Sequence, residues 1–370
     1  MNSNSSSAHR IFEQALADHL QPIAVYLKDE TVSEILINGA GKVYVERAGK
    51  LMQVQASFAT ERALIAALRT IAQYVGRQVD ENNPILEARL PDGSRVQAVL
   101  PPISTEGPTV AIRRFQKESM DPKKLLLQGT LGSRSMQFLQ AAVGLKQNIL
   151  VAGGTGSGKT SLLNALSSFF YDDERIVVLE DSRELQIPHE HVVYFEARPP
   201  SATGKGEISI RELFRASLRM RPDRIVVGEV RGKEALDLVQ AMTSGHGGCL
   251  ATLHATHVKD TLTRLETLSL MSDIDLPLLA LRLQIASAVD LVVQVERMRD
   301  GTRLVTEIAE LQGYREKEGY HLVPIFERVY AKDVKQNAKR SRLVPTGVRP
   351  TFEKLAKREG IALPDFKPVG

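Results

Sequence analysis

The run VAGGTGSGKTS, residues 151–161, places four glycines and one lysine directly after an apolar, strand-like segment. Glycines let successive backbone N–H groups curl around a polyphosphate. The spacing fits the phosphate-binding pattern G-x4-G-K-S/T, in which Lys159 reaches the β and γ phosphates and Thr160 offers a hydroxyl to Mg²⁺. A helix beginning at Thr160 would point its positive end at the same anion. The residues expected to hold phosphate are Gly153, Gly154, Thr155, Gly156, Ser157, Gly158, Lys159, Thr160 and Ser161.

Acidic residues follow two other apolar, strand-like segments. RIVVGEVRG, residues 224–232, ends its strand near Glu229, and RIVVLEDSREL, residues 175–185, ends its strand at Glu180-Asp181, with Glu184 one turn further on. A phosphate cradle needs a carboxylate at a neighbouring strand end to handle Mg²⁺ and the attacking water. A carboxylate after a buried strand is also a common way to begin a loop. Next to a phosphate-binding loop, the functional interpretation is favoured.

Two histidines occur in SGHGGCLATLHA, residues 244–255. His246 and His254 lie close to glycines, but no second cysteine or matched carboxylate spacing completes a zinc site. A structural role at the end of an apolar strand is the alternative for His254. The single cysteine, Cys249, excludes an intrachain disulfide and favours a reducing cytoplasm.

The composition is that of a globular protein with two or three domains. Of the 370 residues, 43% are hydrophobic and 25% are charged, and the formal net charge is +4. The polar start MNSNSSSAHR lacks the apolar core of a signal peptide. The most apolar stretch, residues 276–295, is interrupted by Arg282, Gln284 and Asp290, which argues against a membrane span.

The pattern before residue 116 predicts a leading segment and a small α+β domain. Residues 1–31 are expected to form a disordered start and then an amphipathic helix over 8–20. Residues 32–115 form the predicted small domain, with Thr60 as a helix N-cap and the turn signal Pro91-Asp92-Gly93 between two short strands. Residues 116–133, charged and punctuated by proline and glycine, are the predicted linker.

Apolar strands alternate with helices between residues 134 and 330, an arrangement typical of a mostly parallel α/β sheet. Residues 331–370 are expected to form a basic C-terminal tail, because their charges sum to +6. After the strand before the glycine loop, strands are predicted at 176–180, 192–195, 225–228, 249–253 and 291–295, and helices at 135–143, 160–170, 210–220, 232–242 and 258–271.

In this order, the phosphate loop, the EDSRE box, the GEVRG strand end and the two-histidine box resemble the hexameric secretion ATPases of type II and type IV secretion and type IV pilus assembly. Residues 213–248 are a long continuous match. The resemblance implies a RecA-like phosphate-loop ATPase domain after a small PAS-like N-terminal domain, with ATP and Mg²⁺ as cofactors. It implies that Glu184 orients or activates water and that Glu229 acts at Mg²⁺, directly or through water. By the same resemblance, His246 and His254 sense the γ-phosphate or hold the nearby loops.

The same likeness assigns arginines of the small domain to the nucleotide, which lies between the two domains in this family. Arg89, Arg95, Arg113 and Arg114 match these positions in ARLPDGSRVQAVLPP and AIRRF. Solvated charge on a strand face is the alternative for each of them. Arg113 and Arg114 are adjacent on a strand and face opposite ways, so at most one of them points towards phosphate. Arg113 is the one predicted to take part in catalysis.

Finer features are similar to the Tad (Flp) pilus assembly ATPases in particular: the spacing of the two histidines, the small-domain motifs and the ending at residues 346–366. The predicted protein is therefore a cytoplasmic homohexamer, peripheral at the inner membrane, whose ATP hydrolysis drives Tad pilus assembly or secretion through inner-membrane platform proteins. A conjugation-type type IV secretion ATPase is the alternative with the same chemistry. No specific nucleic acid is expected, since the chain has no tryptophan and few aromatics for base stacking. DNA-stimulated turnover would instead indicate a translocase, and nucleotide binding without turnover a scaffold.

Overall fold

The computed structural model describes residues 14–47, 49–115, 121–201, 204–330 and 341–368. These residues divide into two compact units. The first contains the described residues before position 119 and those of the segment Pro200–Glu207, and the second contains the others. Within the described ranges, no helix combines the length and apolarity needed to cross a membrane.

The first unit is an antiparallel sheet with one buried face, and its strand order is β3-β2-β1-β6-β5-β4. Residues alternate between buried and exposed along its strands, because successive side chains of a strand point to opposite faces. Thr60 caps the long helix by accepting a hydrogen bond from the N–H of Ala63 at 3.1 Å, as predicted. The elements are α1 (Ala24–Lys28), β1 (Val32–Asn38), β2 (Lys42–Arg47), β3 (Lys50–Val54), α2 (Glu61–Tyr74), β4 (Ile85–Arg89), β5 (Arg95–Val99) and β6 (Thr109–Arg113). Of the predicted leading helix, residues 14–19 are helical, and the part before them lies outside the described residues.

The second unit is built on a nine-stranded sheet in the order β15-β14-β13-β12-β7-β11-β10-β8-β9. The six strands from β12 to β9 are parallel to one another, and β13 to β15 are antiparallel, so the predicted mostly parallel sheet is confirmed. Its strands are β7 (Ile149–Gly153), β8 (Ile176–Glu180), β9 (Val192–Glu196), β10 (Arg224–Val227), β11 (Leu250–Leu253), β12 (Leu291–Arg297), β13 (Arg303–Arg315), β14 (Gly319–Tyr330) and β15 (Ser341–Pro345). Its helices are α3 (Pro122–Leu127), α4 (Ser133–Gly144), α5 (Lys159–Ser167), α6 (Ile210–Ser217), α7 (Glu234–Thr243), α8 (Val258–Leu270), α9 (Leu278–Ala288) and α10 (Glu353–Arg358).

The central strands are mostly apolar because helices cover both faces of the sheet. In β7, Ile149 and Val151 pack into the core on one face, whereas Leu150 and Ala152 pack into the core on the other. These two cores hold the strand ends, and therefore the loops that follow them, in fixed positions.

The ends of the second unit differ from the predicted linker and tail. Residues 116–120 lie outside the described residues, but α3 is helical, with the side chain of Asp121 accepting from the N–H of Lys124 at 2.8 Å. Strand β15 pairs with β14, and the rings of Phe352 and Phe366 lie 5.6 and 6.1 Å from that of Phe138. The net charge of the predicted tail did not indicate these aromatic contacts, and its described part, 341–368, contributes Leu343, Phe352, Ala356 and Phe366 to the core of the unit.

Candidate functional site

Four parallel strands bring residues from separate motifs to one edge of the second sheet. β7 pairs with β11, β11 with β10, and β10 with β8. The carboxyl ends of parallel strands share an edge, so side chains that follow these strands lie near one another. Lys159 follows β7, Glu184 follows β8, Glu229 follows β10 and His254 follows β11. We call this edge the candidate site.

The loop between β7 and α5 has the shape of an anion cradle. Gly156 and Gly158 have φ angles of +67° and +99°, in the left-handed region that favours glycine. A β-carbon at Gly153 would clash with the carbonyl oxygen of Val295, so this position also requires glycine. The buried hydroxyl of Ser157 has no hydrogen-bond partner within the described ranges, which is the state expected of a group that meets a ligand. The loop therefore fits a polyphosphate.

Lys159 is held at this cradle by the loop itself. The side chain is buried, and its Nζ donates to the carbonyl oxygens of Gly153 at 3.1 Å and Gly154 at 3.0 Å. Thr160 and Ser161 lie in the first turn of α5, where unpaired N–H groups and the helix dipole favour an anion. A phosphate that binds here meets a fixed cation and the positive end of a helix.

A chain of contacts joins Lys159 to Glu229 through His254. Nε2 of His254 lies 2.7 Å from Oε1 of Glu229 and 3.4 Å from Nζ of Lys159. Burial lowers the pKa of His254, Lys159 lowers it further, and Glu229 opposes these effects. A lowered pKa keeps the imidazole neutral at pH 7, so a hydrogen on Nε2 is donated to Glu229. His254 thereby links the phosphate loop to the acid of the neighbouring strand.

The second oxygen of Glu229 is engaged by Arg231. Arg231 donates to Oε2 of Glu229 at 2.5 Å, and its other Nη atom lies 3.4 Å from Oδ2 of Asp181. The hydrogen bond that Arg231 donates to Glu229 raises the pKa of Arg231, which stays charged. Arg231 therefore pairs with acids of the site and connects the end of β10 to the loop after β8.

Glu184 lies half-buried in the loop after β8, and Glu180 holds this loop in place. Oε1 of Glu180 accepts the backbone N–H groups of Glu184 and Leu185, each at 3.0 Å. A β-carbon at Gly228 would lie 2.7 Å from Cγ of Glu180, so Glu180 also packs against the residue before Glu229. Glu180 thus contacts the backbone beside both predicted catalytic acids. From the sequence, Glu180 was identified only as a strand-end acid, although its position as the last residue of a buried strand was a usable signal for this packing role.

Burial raises the pKa of Glu180 to about 7, against the opposing effect of the two backbone hydrogen bonds. A carboxyl with a raised pKa in the folded state binds its proton more tightly than in the unfolded state. Its contribution to stability is therefore lost as the pH rises from about 4.5 to about 7. Each unit of pKa corresponds to about 1.4 kcal/mol, so the full effect is about 3 kcal/mol.

We expect Glu180→Gln, which is neutral at every pH, to remove this pH dependence. Relative to the unsubstituted protein, the variant should gain stability between pH 5 and pH 8, because only the carboxyl must ionise in its buried position. Denaturant unfolding at both pH values measures the difference. Glu190→Gln, at an exposed position of the same connection, is the control. A pH profile of Glu180→Gln identical to that of the unsubstituted protein would contradict the assignment.

The structure does not place His246 with the other predicted residues. His246 precedes β11 and His254 follows it, so the four-residue strand separates them by about 13 Å along its axis. His246 lies at the amino edge of the sheet, where its carbonyl oxygen accepts from Sγ of Cys249 at 3.0 Å. His246 is therefore not at the edge that carries His254, and its predicted role, to sense the γ-phosphate or to hold the nearby loops, stays a prediction.

Three of the predicted arginines form a row on the exposed face of the first sheet. Arg89 pairs directly with Arg95 across β4 and β5, and Arg95 with Arg113 across β5 and β6. Arg95 forms an ion pair with Glu87, and Arg113 lies opposite Glu34 of β1. Like charges directly opposite each other destabilise a sheet, and the acids beside Arg95 and Arg113 offset part of this cost. We call Arg89, Arg95 and Arg113 the arginine row.

Arg114 has a different role. Its Nη1 donates to the carbonyl oxygens of Asp29 and Val32, the latter at 3.1 Å, and its backbone N–H donates to Ser33 at 3.0 Å. These bonds fix the start of β1 against the end of β6. The expectation that Arg113 and Arg114 face opposite ways agrees with this geometry, and Arg114 serves the fold of the first unit.

Comparison with known proteins identifies relatives over most of the chain. The conjugal transfer protein TrbB of Rhizobium radiobacter is 34% identical over 310 residues, which cover 83% of this chain and 91% of TrbB. The type IV secretion system protein PtlH of Bordetella pertussis is 36% identical over 313 residues, which cover 77% of this chain and 91% of PtlH. The fold is shared with the crystal structure of the Legionella pneumophila ATPase DotB, with a TM-score of 0.53 and 20% identity over 80% of each chain.

The model of one protein family matches residues 16–319, which includes every strand and helix of the candidate site. That family is described as type II/IV secretion system proteins, in agreement with the resemblance drawn from the motifs. The narrower likeness to Tad pilus ATPases is not confirmed, because the relatives named above are conjugal transfer and type IV secretion proteins. The chain therefore belongs to the type II/IV secretion system protein family.

Proposed function

We propose that this protein is an ATP-hydrolysing motor of a type IV secretion system of the conjugation class. The ATPase activity follows from the family together with a phosphate loop, a buried lysine and two acids at one sheet edge. Conjugal transfer and type IV secretion relatives at 34–36% identity support this class over the Tad pilus motor that the sequence first suggested. Secretion and conjugation systems share the same chemistry and differ in the cargo.

The observation that carries the proposal is the contact chain from Lys159 through His254 to Glu229. In a phosphate-loop ATPase, the lysine neutralises charge on the β and γ phosphates, and an acid on a neighbouring strand handles Mg²⁺ or water. Here, one neutral imidazole lies within 3.4 Å of the lysine and 2.7 Å of the acid. Such an arrangement lets the state of the phosphate at Lys159 be transmitted to Glu229.

The residues present fit ATP and Mg²⁺. The loop glycines, the Ser157 hydroxyl and Lys159 would hold the phosphates, and the Thr160 hydroxyl and Glu229 would hold the metal, directly or through water. The bound Mg²⁺ supplies a Lewis acid that stabilises developing charge on the phosphates. Glu184, positioned by Glu180, is the residue proposed to orient or activate the attacking water.

We further propose that the motor works as a homohexamer in the cytoplasm, at the inner membrane, where platform proteins of the secretion system bind it. The family membership supports this arrangement, and the proposal assigns no specific nucleic acid as a partner. The test is a deletion strain complemented with the wild-type gene or the Lys159→Ala gene, with expression matched by immunoblot. Loss of plasmid or effector transfer supports the proposal. Loss of Tad pili with normal transfer would instead favour the pilus motor.

The arginine row gives a prediction about turnover. If the row meets nucleotide phosphate, Arg113→Ala should leave a folded oligomer but lower ATP turnover by about tenfold or more, since one charge-assisted contact contributes a few kcal/mol at most. Arg114→Ala should instead lower the melting temperature, because it loses the bonds to Asp29 and Val32. Phosphate release, light scattering and thermal melting separate the two variants. A larger loss of turnover from Arg114→Ala would reverse the assignment, and a fully active monomer would contradict the hexamer.

A further inference from the structure

Two further arginines, Arg297 and Arg303, lie against the phosphate loop and belong to none of the sequence motifs. The turn between β12 and β13 places Arg297 directly opposite Arg303, at the last register position of the hairpin. Nε of Arg303 donates to the carbonyl oxygen of Gly156 at 2.9 Å. A β-carbon at Gly158 would lie 3.1 Å from Cδ of Arg303, so the stem of this side chain covers Gly158. Arg303 therefore contacts Gly156 and Gly158, the two glycines of the phosphate loop whose φ angles are positive.

The hydrogen bond to Gly156 has a consequence for the inside of the loop. The peptide group between Gly156 and Ser157 is planar and trans, so its C=O and N–H point in opposite directions. Because Arg303 holds the carbonyl of Gly156, the N–H of Ser157 is turned the other way, where it donates to the carbonyl oxygen of Gly154 at 3.4 Å. Backbone N–H groups that point into such a loop are the groups that bind phosphate. Through the peptide group between Gly156 and Ser157, the hydrogen bond from Arg303 thus sets the direction of the Ser157 N–H.

The backbone of Arg303 is itself held by a hydrogen bond from Thr130. The hydroxyl of Thr130 donates to the carbonyl oxygen of Arg303 at 2.9 Å, and the N–H of Val305 donates to the carbonyl of Thr130 at 3.1 Å. Arg328, which is buried, donates to the carbonyls of Thr130 at 2.9 Å and Val305 at 2.7 Å. Burial lowers the pKa of Arg328, and Tyr330 opposes this effect. Thr130 follows α3, so the segment that opens the second unit reaches the phosphate loop through Arg303.

We propose that Arg303 is a positioning residue for nucleotide binding, which holds the phosphate loop in its binding conformation and is itself set by Thr130. The proposal rests on the nucleotide site proposed above. A positioning role predicts that removal of the hydrogen bond weakens the binding of ATP and ADP to a similar extent. The chemical step, carried out by other groups, should change little.

The test compares three variants of the full-length protein. Arg303→Met keeps a stem over Gly158 but loses the donor. Arg303→Gln places its amide nitrogen on Cδ, where arginine carries Nε, and keeps a donor without the charge. Arg299→Met removes the same charge from an exposed position of the same turn and is the control. We expect KM for ATP and Kd for ADP to rise about tenfold in Arg303→Met, in line with the loss of one charge-assisted hydrogen bond. The kcat should stay within about twofold.

Arg303→Gln should recover most of the affinity, and Arg299→Met should match the wild type. Amide exchange of residues 154–158 in nucleotide-free protein should be faster in Arg303→Met, a readout that does not depend on activity. Unchanged affinity in Arg303→Met, equal losses in Gln and Met, or a fall in kcat at constant KM would each overturn the proposal. Wild-type protein that binds no nucleotide would instead contradict the proposed function.

Thr130→Val keeps the shape of the side chain and removes only the hydroxyl that bonds to Arg303, so it also serves if Arg303→Met does not fold. We expect a two- to threefold rise in KM, the size expected for loss of one neutral hydrogen bond acting indirectly. An unchanged KM in Thr130→Val, with normal folding, would remove Thr130 from the proposal.

Discussion

We expect Lys159→Ala to reduce ATP turnover to about one thousandth of the wild-type rate or below, the scale on which a single cation at the transferred phosphate acts. The ammonium is buried and bonded to the carbonyls of Gly153 and Gly154, so no mobile side chain can replace it. Phosphate release at saturating ATP measures the effect. Lys259→Ala, at an exposed position of α8, is the control for loss of one positive charge.

The same variant has a second readout that does not require turnover. Lys159 lowers the pKa of His254, so its removal should raise that pKa, which NMR titration of the imidazole can follow. Near-normal hydrolysis by Lys159→Ala would mean that the loop at 151–161 does not bind the reacting phosphates. An unchanged His254 pKa would mean that the contact between the two side chains is not formed in solution.

The central strands were predictable because their pattern has one physical cause. A parallel strand covered on both faces is mostly apolar, and β8 and β10 are short runs of this kind, each with one charged residue at an end. The predicted β8 agrees with the structure residue for residue, whereas β10 and β11 each begin or end one residue away. Ends of strands depend on loop hydrogen bonds that a hydrophobic pattern does not report.

The antiparallel strands β13 to β15 gave no such pattern. In β13 the register shifts at Ile308 and again after Leu311, so the alternation of buried and exposed residues breaks where a period of two should appear. In β14 the buried Arg328 stands where an apolar residue would be expected, because four carbonyl and hydroxyl partners surround it. Bulges and buried charges follow from tertiary contacts, which no local window of sequence contains.

The candidate site was predicted motif by motif. The residues that this prediction grouped wrongly or missed have a common cause. Lys159, Glu229 and His254 each follow a predicted strand, so the parallel sheet brings them to one edge. His246 was grouped with His254 because the two are close in sequence, although β11 lies between them. Arg303 was missed because its partner, Gly156, is 147 residues away, and no motif joins the two. Sequence motifs do not show which residues come close to one another across the sheet, so these contacts are visible only in the structure.

The second prediction with a large expected effect on ATP turnover concerns Glu184 and Glu229, whose environments differ. Glu184 is held through its backbone by Glu180, and its carboxyl lies half-buried in the loop after β8. Both oxygens of Glu229 are engaged, one by His254 and one by Arg231. Because both of its oxygens are already engaged within the protein, Glu229 keeps its proposed role at the metal and in coupling, and the general-base role remains the one proposed for Glu184.

We expect Glu184→Gln to bind ATP normally and to hydrolyse it about a hundredfold or more slowly, the usual effect of losing a general base. Glu229→Gln should shift the Mg²⁺ dependence of turnover to higher concentration. It should also lower the pKa of His254 further, since Glu229 is the group that raises it. Binding of a fluorescent ATP analogue, phosphate release across a Mg²⁺ series and NMR titration of His254 measure the three effects. Glu190→Gln, which changes an exposed acid in the connection after β8, controls for loss of one negative charge. If Glu184→Gln is fully active, and Glu229→Gln binds ATP without cleaving it, the two roles must be exchanged, and the paired carboxylate of Glu229 would have to release His254 before it could accept a proton.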